Sequence, residues 1–179
     1  FEQFGPQGLR ALQRIIQSVP DEIPVLLDVK RGDIGSTAQA YAKAAFEQWN
    51  ADAVTISPYL GSDSVSPFLA YEGKTAFILC NTSNPSAQEL QMYGRAPLYE
   101  HVALIAQDWG SAGQIAFVVG ATQPQALARV RALCPSNWIL APGVGAQGGD
   151  LRKALQAGLR ADGSGLIVPV SRGVMEADD

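Results

Sequence analysis

Six short apolar runs punctuate the chain, and amphipathic stretches separate them. The runs are Val25–Lys30, Ala53–Ser57, Ala76–Cys80, Ile115–Gly120, Trp138–Ala141 and Leu166–Val170, with starts 23 to 39 residues apart. Most are apolar without alternation, as parallel strands are when both faces are covered. Between them, apolar residues recur at helical spacing. Leu9, Leu12, Ile16 and Val19 follow Pro6, which suits a first helical turn. Ala40, Tyr41, Ala44 and Ala45 follow Ser36 and Thr37, either of which can cap a helix. Leu98, Val102, Ile105 and Trp109 form a third stripe, Pro124 opens a fourth with Leu127, Val130 and Leu133, and Asp150 caps a fifth with Leu151 and Leu155. No Ser/Pro-rich linker, low-complexity tract or charge run divides the chain. The pattern predicts one α/β domain, residues 1–179, made of successive βα units.

Two architectures fit that pattern, an open doubly wound sheet and a (β/α)8 barrel. A barrel allots roughly 31 residues to each unit, so a chain of this length supplies about six of eight. The open sheet accommodates six strands without remainder, but the glycine-rich fingerprint usual after its first strand is absent. Periodicity alone leaves the choice open.

Composition narrows the function classes. Apolar residues make up 47% and charged residues 17%, which excludes a disordered chain. Thirteen basic against 17 acidic residues give a net charge of −4, the wrong field for a sequence-independent nucleic-acid binder. No apolar run approaches the roughly 20 residues that span a bilayer, and Phe1 to Leu9 lacks the basic and apolar regions of a signal peptide. Cys80 and Cys134 lack CxxC spacing and read as buried free thiols. A cytoplasmic protein fits these features. His101 reads as a solvated helix residue, and without a second histidine or a cysteine cluster there is no zinc ligand set.

The segment Leu27-Asp28-Val29-Lys30-Arg31-Gly32-Asp33-Ile34-Gly35-Ser36-Thr37 carries the strongest chemical signal. Strand alternation sends Asp28 and Lys30 to one face, at the C-terminal end where parallel α/β folds place their sites. Asp33 follows after one glycine turn, near enough to join them. Flanking carboxylates hold a lysine ammonium charged and oriented against desolvation. Such an ammonium can stabilise a developing carbanion and then deliver a proton. The bland alternative is a surface ion-pair cluster at a strand end.

A second group follows the last two runs. Ala141-Pro142-Gly143-Val144-Gly145-Ala146-Gln147-Gly148-Gly149-Asp150 precedes a helix start, so backbone N–H groups and the Gln147 amide can receive an anion. Arg172, after Leu166–Val170, can grip a phosphate through two parallel hydrogen bonds. Asn81-Thr82-Ser83-Asn84-Pro85-Ser86 offers neutral groups able to read an amide-like heterocycle, or simply a turn.

Together these residues resemble the orotidine 5′-phosphate decarboxylase family, in particular its bacterial members with the motif Asp-x-Lys-Arg-Gly-Asp-Ile-Gly-Ser-Thr. The resemblance runs through Asp28–Thr37, Thr82–Pro85, Pro142–Asp150 and Ser171–Gly173. It implies a (β/α)8 TIM barrel, a homodimer, and catalysis without metal or organic cofactor. It implies that Asp28 faces the substrate carboxylate and that Lys30 stabilises and protonates the C6 carbanion. Asp33, with Ile34 and Thr37, is implied to reach the neighbouring subunit's site. Ser83 matches a pyrimidine contact, and Pro142, Gln147 and Arg172 fall in the implied phosphate site. Two family strands, carrying an Asp and a Lys that hold the ribose, are expected before Phe1-Glu2-Gln3-Phe4-Gly5, and a final helix after Val174.

The expected reaction is decarboxylation of orotidine 5′-monophosphate to uridine 5′-monophosphate in pyrimidine synthesis. A metal-assisted sugar-phosphate decarboxylase or aldolase shares the DxKxxD pattern, but the Arg31-Gly32 and Ile34–Thr37 context argues against it. A non-catalytic barrel that binds a phosphorylated ligand is opposed by the intact Asp28, Lys30, Asp33 and Arg172.

Overall fold

The computed structural model describes residues 1–145 and 147–175. All six predicted strands form: β1 (Leu26–Arg31), β2 (Ala53–Ile56), β3 (Thr75–Asn81), β4 (Ile115–Val119), β5 (Ile139–Leu140) and β6 (Leu166–Ile167). The helices are α1 (Gly5–Ser18), α2 (Gly35–Lys43), α3 (Ser66–Leu69), α4 (Ala87–Gln91), α5 (Leu98–Ala106), α6 (Pro124–Leu133), α7 (Leu151–Gly158) and α8 (Arg172–Met175). The short α3 and α4 were not legible as periodic stripes, and α4 together with α5 accounts for the long interval between β3 and β4.

Strand order decides between the two architectures. A doubly wound sheet reverses its order once, which distributes helices over both faces. Here the strands are all parallel and lie side by side in chain order, β1 to β6. Right-handed crossovers that always step the same way lay every connecting helix on one face. The packing shows this directly. Val54, Ile56, Ile78, Cys80, Phe117, Val119 and Ile139 pack with the helix residues Ala42, Ala103, Leu127, Val130 and Ala154. The alternate strand residues Leu26, Ala53, Phe77, Leu79, Ala116, Val118 and Leu140 form a separate cluster that contains no helix residue. One face is the outer wall and the other the interior of a curled part-barrel, as the barrel expectation requires.

Local details depart from the pattern at several points, and β5 keeps only Ile139–Leu140 of the run Trp138–Ala141. Ser36 and Thr37 do not cap α2; Ile34 holds that position in an extended conformation, and the helix starts at Gly35. The Asp33 carboxylate instead accepts the Ile34 N–H (2.8 Å), so the chain turns into the helix earlier. Strand β6 ends at Ile167 rather than Val170, because Pro169 has no N–H for the ladder. Helix α5 stops at Ala106, short of Trp109. Among the described residues no helix is long and apolar enough to cross a membrane.

Arg131 in α6 locks the later units together. Its guanidinium donates to the carbonyls of Gly158, Cys134, Pro135, Asn137 and Gly165, at 2.7 to 3.3 Å. These carbonyls lie at the end of α7 and just before β5 and β6. The free thiols Cys80 and Cys134 are both buried, as expected. Burial, with the neighbouring Cys134 adding to it, pushes the Cys80 thiol far up. Burial also raises Cys134, from an ordinary 9.0 to about 11.

Arg131→Ala should cost about 3 kcal/mol of folding stability in chemical denaturation, because several buried carbonyls lose a charged donor at once. Neither thiol should react with a disulfide reagent at pH 8 unless the protein is unfolded. An unfolded Cys134 ionises near 9.0 and the folded one near 11, so the folded state keeps a proton that the unfolded chain releases. Its contribution to stability is full below pH 9 and declines as the pH rises toward 11, measurable as a falling denaturation midpoint.

Candidate active site

The register of β1 against β2 shapes the site. Leu27 pairs with Val54 and Arg31 with Ile56, so Asp28, Val29 and Lys30 together face Thr55 alone. This bulge drives Lys30 into the left-handed region (φ 46°), one of only two non-glycine residues so placed among those described. Asp28, two residues from Leu26, points to the interior face. The Lys30 ammonium meets Asp28 Oδ1 at 2.5 Å. Thr55 Oγ1 donates to the same Oδ1 (2.9 Å) and accepts the Lys30 backbone N–H (2.9 Å).

Magnitudes show that stability does not account for the pair. Its side chains are 51% and 58% exposed. An open ion pair contributes about 0–1 kcal/mol, while a left-handed backbone at a residue with a β-carbon costs about 1–3 kcal/mol. Strain held at a strand end beside a charged pair is the pattern that functional sites tend to show.

The turn after Lys30 is held from several sides. The Ser57 N–H donates to the Arg31 carbonyl (2.7 Å). A β-carbon at Gly32 would lie 3.2 Å from Ser57 Cβ, so glycine lets the turn pass. The Arg31 guanidinium bonds Glu2 (2.6 Å) and stacks 5.0 Å above the Tyr41 ring. The hydrogen bond and charge of Arg31 hold the Glu2 carboxyl below its usual range. Asp33, expected to join Asp28 and Lys30, makes no ion pair with Lys30 in this chain; its carboxylate is turned to the Ile34 N–H instead. Ile34 and Thr37 are exposed beside it.

The loops after β3 and β5 meet across the same end of the sheet. Ser83 Oγ donates to Gln147 Oε1 (2.8 Å), joining two residues 64 positions apart. With its Oε1 so engaged, the Gln147 amide has its NH2 group left for a further acceptor. Pro142 is half-buried at the start of the loop, and its carbonyl accepts the Ala121 N–H (2.8 Å). A β-carbon at Gly120 would meet the Ser83 backbone at 3.0 Å, so the close approach requires glycine. The glycine loop is less open to an anion than its sequence suggested. The Gly148 N–H bonds the Gly145 carbonyl (2.7 Å) and the Gly149 N–H bonds that of Gly143 (2.9 Å). The Asp150 cap is as expected, its carboxylate accepting the Lys153 N–H at 3.1 Å. Arg172 opens α8, after β6 as expected; its side chain lies outside the described residues.

The structure adds residues that motif reading passed over. Thr55 is one, a polar residue in the apolar run Ala53–Ile56 whose alternation assigns it to the interior face. Gln91 is another: its amide accepts the Thr82 N–H (2.8 Å) and donates to the Thr82 hydroxyl (2.9 Å), fixing the loop that carries Ser83. Among the described residues the Asn81 and Thr122 side-chain oxygens, at the ends of β3 and β4 near Ser83 and Gly143, are buried without a partner. His101 is exposed on α5, and no group of three potential ligands gathers among the described residues.

The opposite ends of the strands carry different chemistry. There an open cleft of about 350 Å3 lies among Gln13, Gln17, Trp49 and Asp52. Burial tends to raise the Asp52 carboxyl, but the Val25 N–H (2.9 Å) and the Lys74 ammonium (3.1 Å) outweigh it and hold it below its usual range. Asp52 thus ties the start of β1 to the segment before β3.

Comparison with known proteins gives this geometry its family. The model of the orotidine 5′-phosphate decarboxylase / HUMPS family matches residues 1–179. Two curated relatives are orotidine 5′-phosphate decarboxylases. That of Verminephrobacter eiseniae is 51% identical, over 97% of this chain and 67% of its own length. That of Roseiflexus castenholzii is 52% identical, over 99% and 66%. The chain therefore spans about two thirds of the length of such relatives. Among solved structures, Leishmania donovani UMP synthase superposes with a TM-score of 0.96 at 54% identity, over 99% of this chain and 41% of that one. Leishmania donovani OMP decarboxylase gives 0.93 at 52%, over 99% and 71%. With the Asp28–Lys30 pair, the Ser83–Gln147 contact and the singly wound sheet in place, the chain belongs to the orotidine 5′-phosphate decarboxylase / HUMPS family.

Proposed function

We propose that this chain carries the reacting centre of an enzyme that converts orotidine 5′-monophosphate into uridine 5′-monophosphate and carbon dioxide. The observation that carries the reading is the Asp28–Lys30 pair on the strained end of β1, backed by relatives of that activity at about 50% identity. In the reaction the bond from C6 to the carboxylate breaks, its electron pair stays at C6, and carbon dioxide leaves. The Lys30 ammonium, fixed beside that carbon, stabilises the developing negative charge and then gives C6 a proton, which solvent replaces. Asp28 faces the substrate carboxylate and disfavours it relative to the departing neutral product. Because Lys30 supplies both the charge and the proton, the reaction needs no metal or organic cofactor.

Gln147 and Arg172 grip the 5′-phosphate, beside Pro142, and Ser83 reads the pyrimidine. Binding energy collected at the phosphate, remote from C6, is available to organise the loops around the reacting carbon. The functional unit is a homodimer in which Asp33, Ile34 and Thr37 complete the partner's site. Two features support this: the Asp33 carboxylate binds the Ile34 N–H rather than joining the Asp28–Lys30 pair of its own chain, and Ile34, Tyr59, Leu60 and Tyr93 expose apolar surface on the loops after β1, β2 and β3. Two buried free thiols fit a reducing cytoplasm. Closing an eight-stranded barrel takes two strands beyond the six described, so activity is assigned to the full-length protein.

Turnover is followed through the loss of the orotate chromophore, with a chelator present throughout. Lys30→Ala should lower kcat by about 10^4-fold, since both charge stabilisation and proton delivery are lost; wild-type turnover in that variant, or a requirement for added magnesium, would overturn the reading. Gln147→Ala should raise KM by about tenfold or more, one hydrogen bond to a charged group. Lys30→Ala and Asp33→Ala proteins, each inactive alone, should recover about a quarter of wild-type activity when mixed and exchanged, because half the dimers then hold one intact site of two. Monomers in sedimentation, or no recovery on mixing, would remove the shared site.

A further inference from the structure

The Thr55 side chain is completely buried, yet both capacities of its hydroxyl are spent on the charged pair above it. A hydroxyl carries one proton. Because Thr55 Oγ1 accepts the Lys30 N–H at 2.9 Å, its own proton is directed to Asp28 Oδ1, also at 2.9 Å. Oδ1 therefore receives two donors, Thr55 and the Lys30 ammonium, which fix the carboxylate in rotation.

The bulge makes this hydroxyl matter. Three β1 residues face the single residue Thr55, which carries the Lys30 N–H out of the regular ladder. Without an acceptor that N–H would be left unpaired, and the left-handed turn would lose the bond that offsets its strain. We propose that Thr55 is a positioning residue for the reacting centre: through one buried hydroxyl it fixes both the backbone of Lys30 and the carboxylate of Asp28. It acts through those two groups and does not touch substrate. The kinetic part of this role rests on the decarboxylase reading above.

The test compares Thr55→Val, which keeps the shape and removes the hydroxyl, with Thr55→Ser, which keeps the hydroxyl, in the full-length protein. Thr55→Val should lower kcat by about 10- to 100-fold, the scale of a misplaced reacting group, with KM within about threefold of wild type. Thr55→Ser should retain most of kcat. A residue that only stabilised the fold would lower the melting temperature in both variants without this split. Hydrogen exchange provides a readout independent of activity: the Lys30 N–H should exchange about tenfold faster in Thr55→Val and at near wild-type rate in Thr55→Ser. Wild-type kcat in Thr55→Val, a loss carried by KM, equal loss in both variants, or an unchanged Lys30 exchange rate would each overturn the proposal. Should the wild-type protein turn over no orotidine 5′-monophosphate, the decarboxylase reading falls, and the Lys30 exchange rates alone still decide whether Thr55 holds the turn.

Discussion

The pairing of β1 with β2 is the constraint on which the site depends. Their register is regular at Leu26 and Leu27, slips by two residues opposite Thr55, and resumes at Arg31. That slip ends the regular ladder, turns Lys30 left-handed and brings its ammonium back onto Asp28. A perfectly paired strand would also place the two side chains on one face, but its extended backbone would carry Lys30 on past Asp28. The bulge exchanges a few kilocalories of backbone comfort for a fixed cation.

The rest of the molecule makes that local strain tolerable. Val54 and Ile56, on either side of Thr55, are fully buried under the helices, so β2 is a rigid reference for the bulge. Arg31 and Gly32 hold the following turn, one by its bonds to Glu2 and Tyr41 and the other by its lack of a side chain. Across the sheet, Gly120 allows the Ser83 loop to approach β4, and the Ser83–Gln147 bond joins it to the loop after β5. Parallel order matters throughout, since it delivers the C-terminal ends of all six strands to one side.

The two ends of the sheet divide their labour. At the N-terminal side, Asp52 and Arg131 satisfy backbone groups and tie neighbouring units together, which is structural work. At the C-terminal side lie the strained lysine, the open ion pair and, among the described residues, two buried oxygens without partners, which together add little or nothing to the fold. Such a split lets one end be selected for stability and the other for chemistry.

The six strands, the helices opened by Pro6, Pro124 and Asp150, and the buried thiols were all determined by the sequence alone, because each rests on local periodicity or local turn chemistry. The charged motif from Asp28 to Asp33 was equally legible, since residue type and spacing suffice to name a candidate acid and its carboxylates. Tertiary structure decided what depends on partners distant in the chain. Strand order, and with it barrel rather than open sheet, came from pairing between units. Asp33 proved not to pair with Lys30 within this chain, because its carboxylate binds the Ile34 N–H where the chain turns into α2. The glycine loop spent two of its N–H groups on its own turns. Thr55 and Gln91 acquired their roles only where a bulge or a loop placed an unpaired N–H beside them. A hydrogen bond across 25 residues leaves no period in a sequence; it exists only once two strands have settled their register.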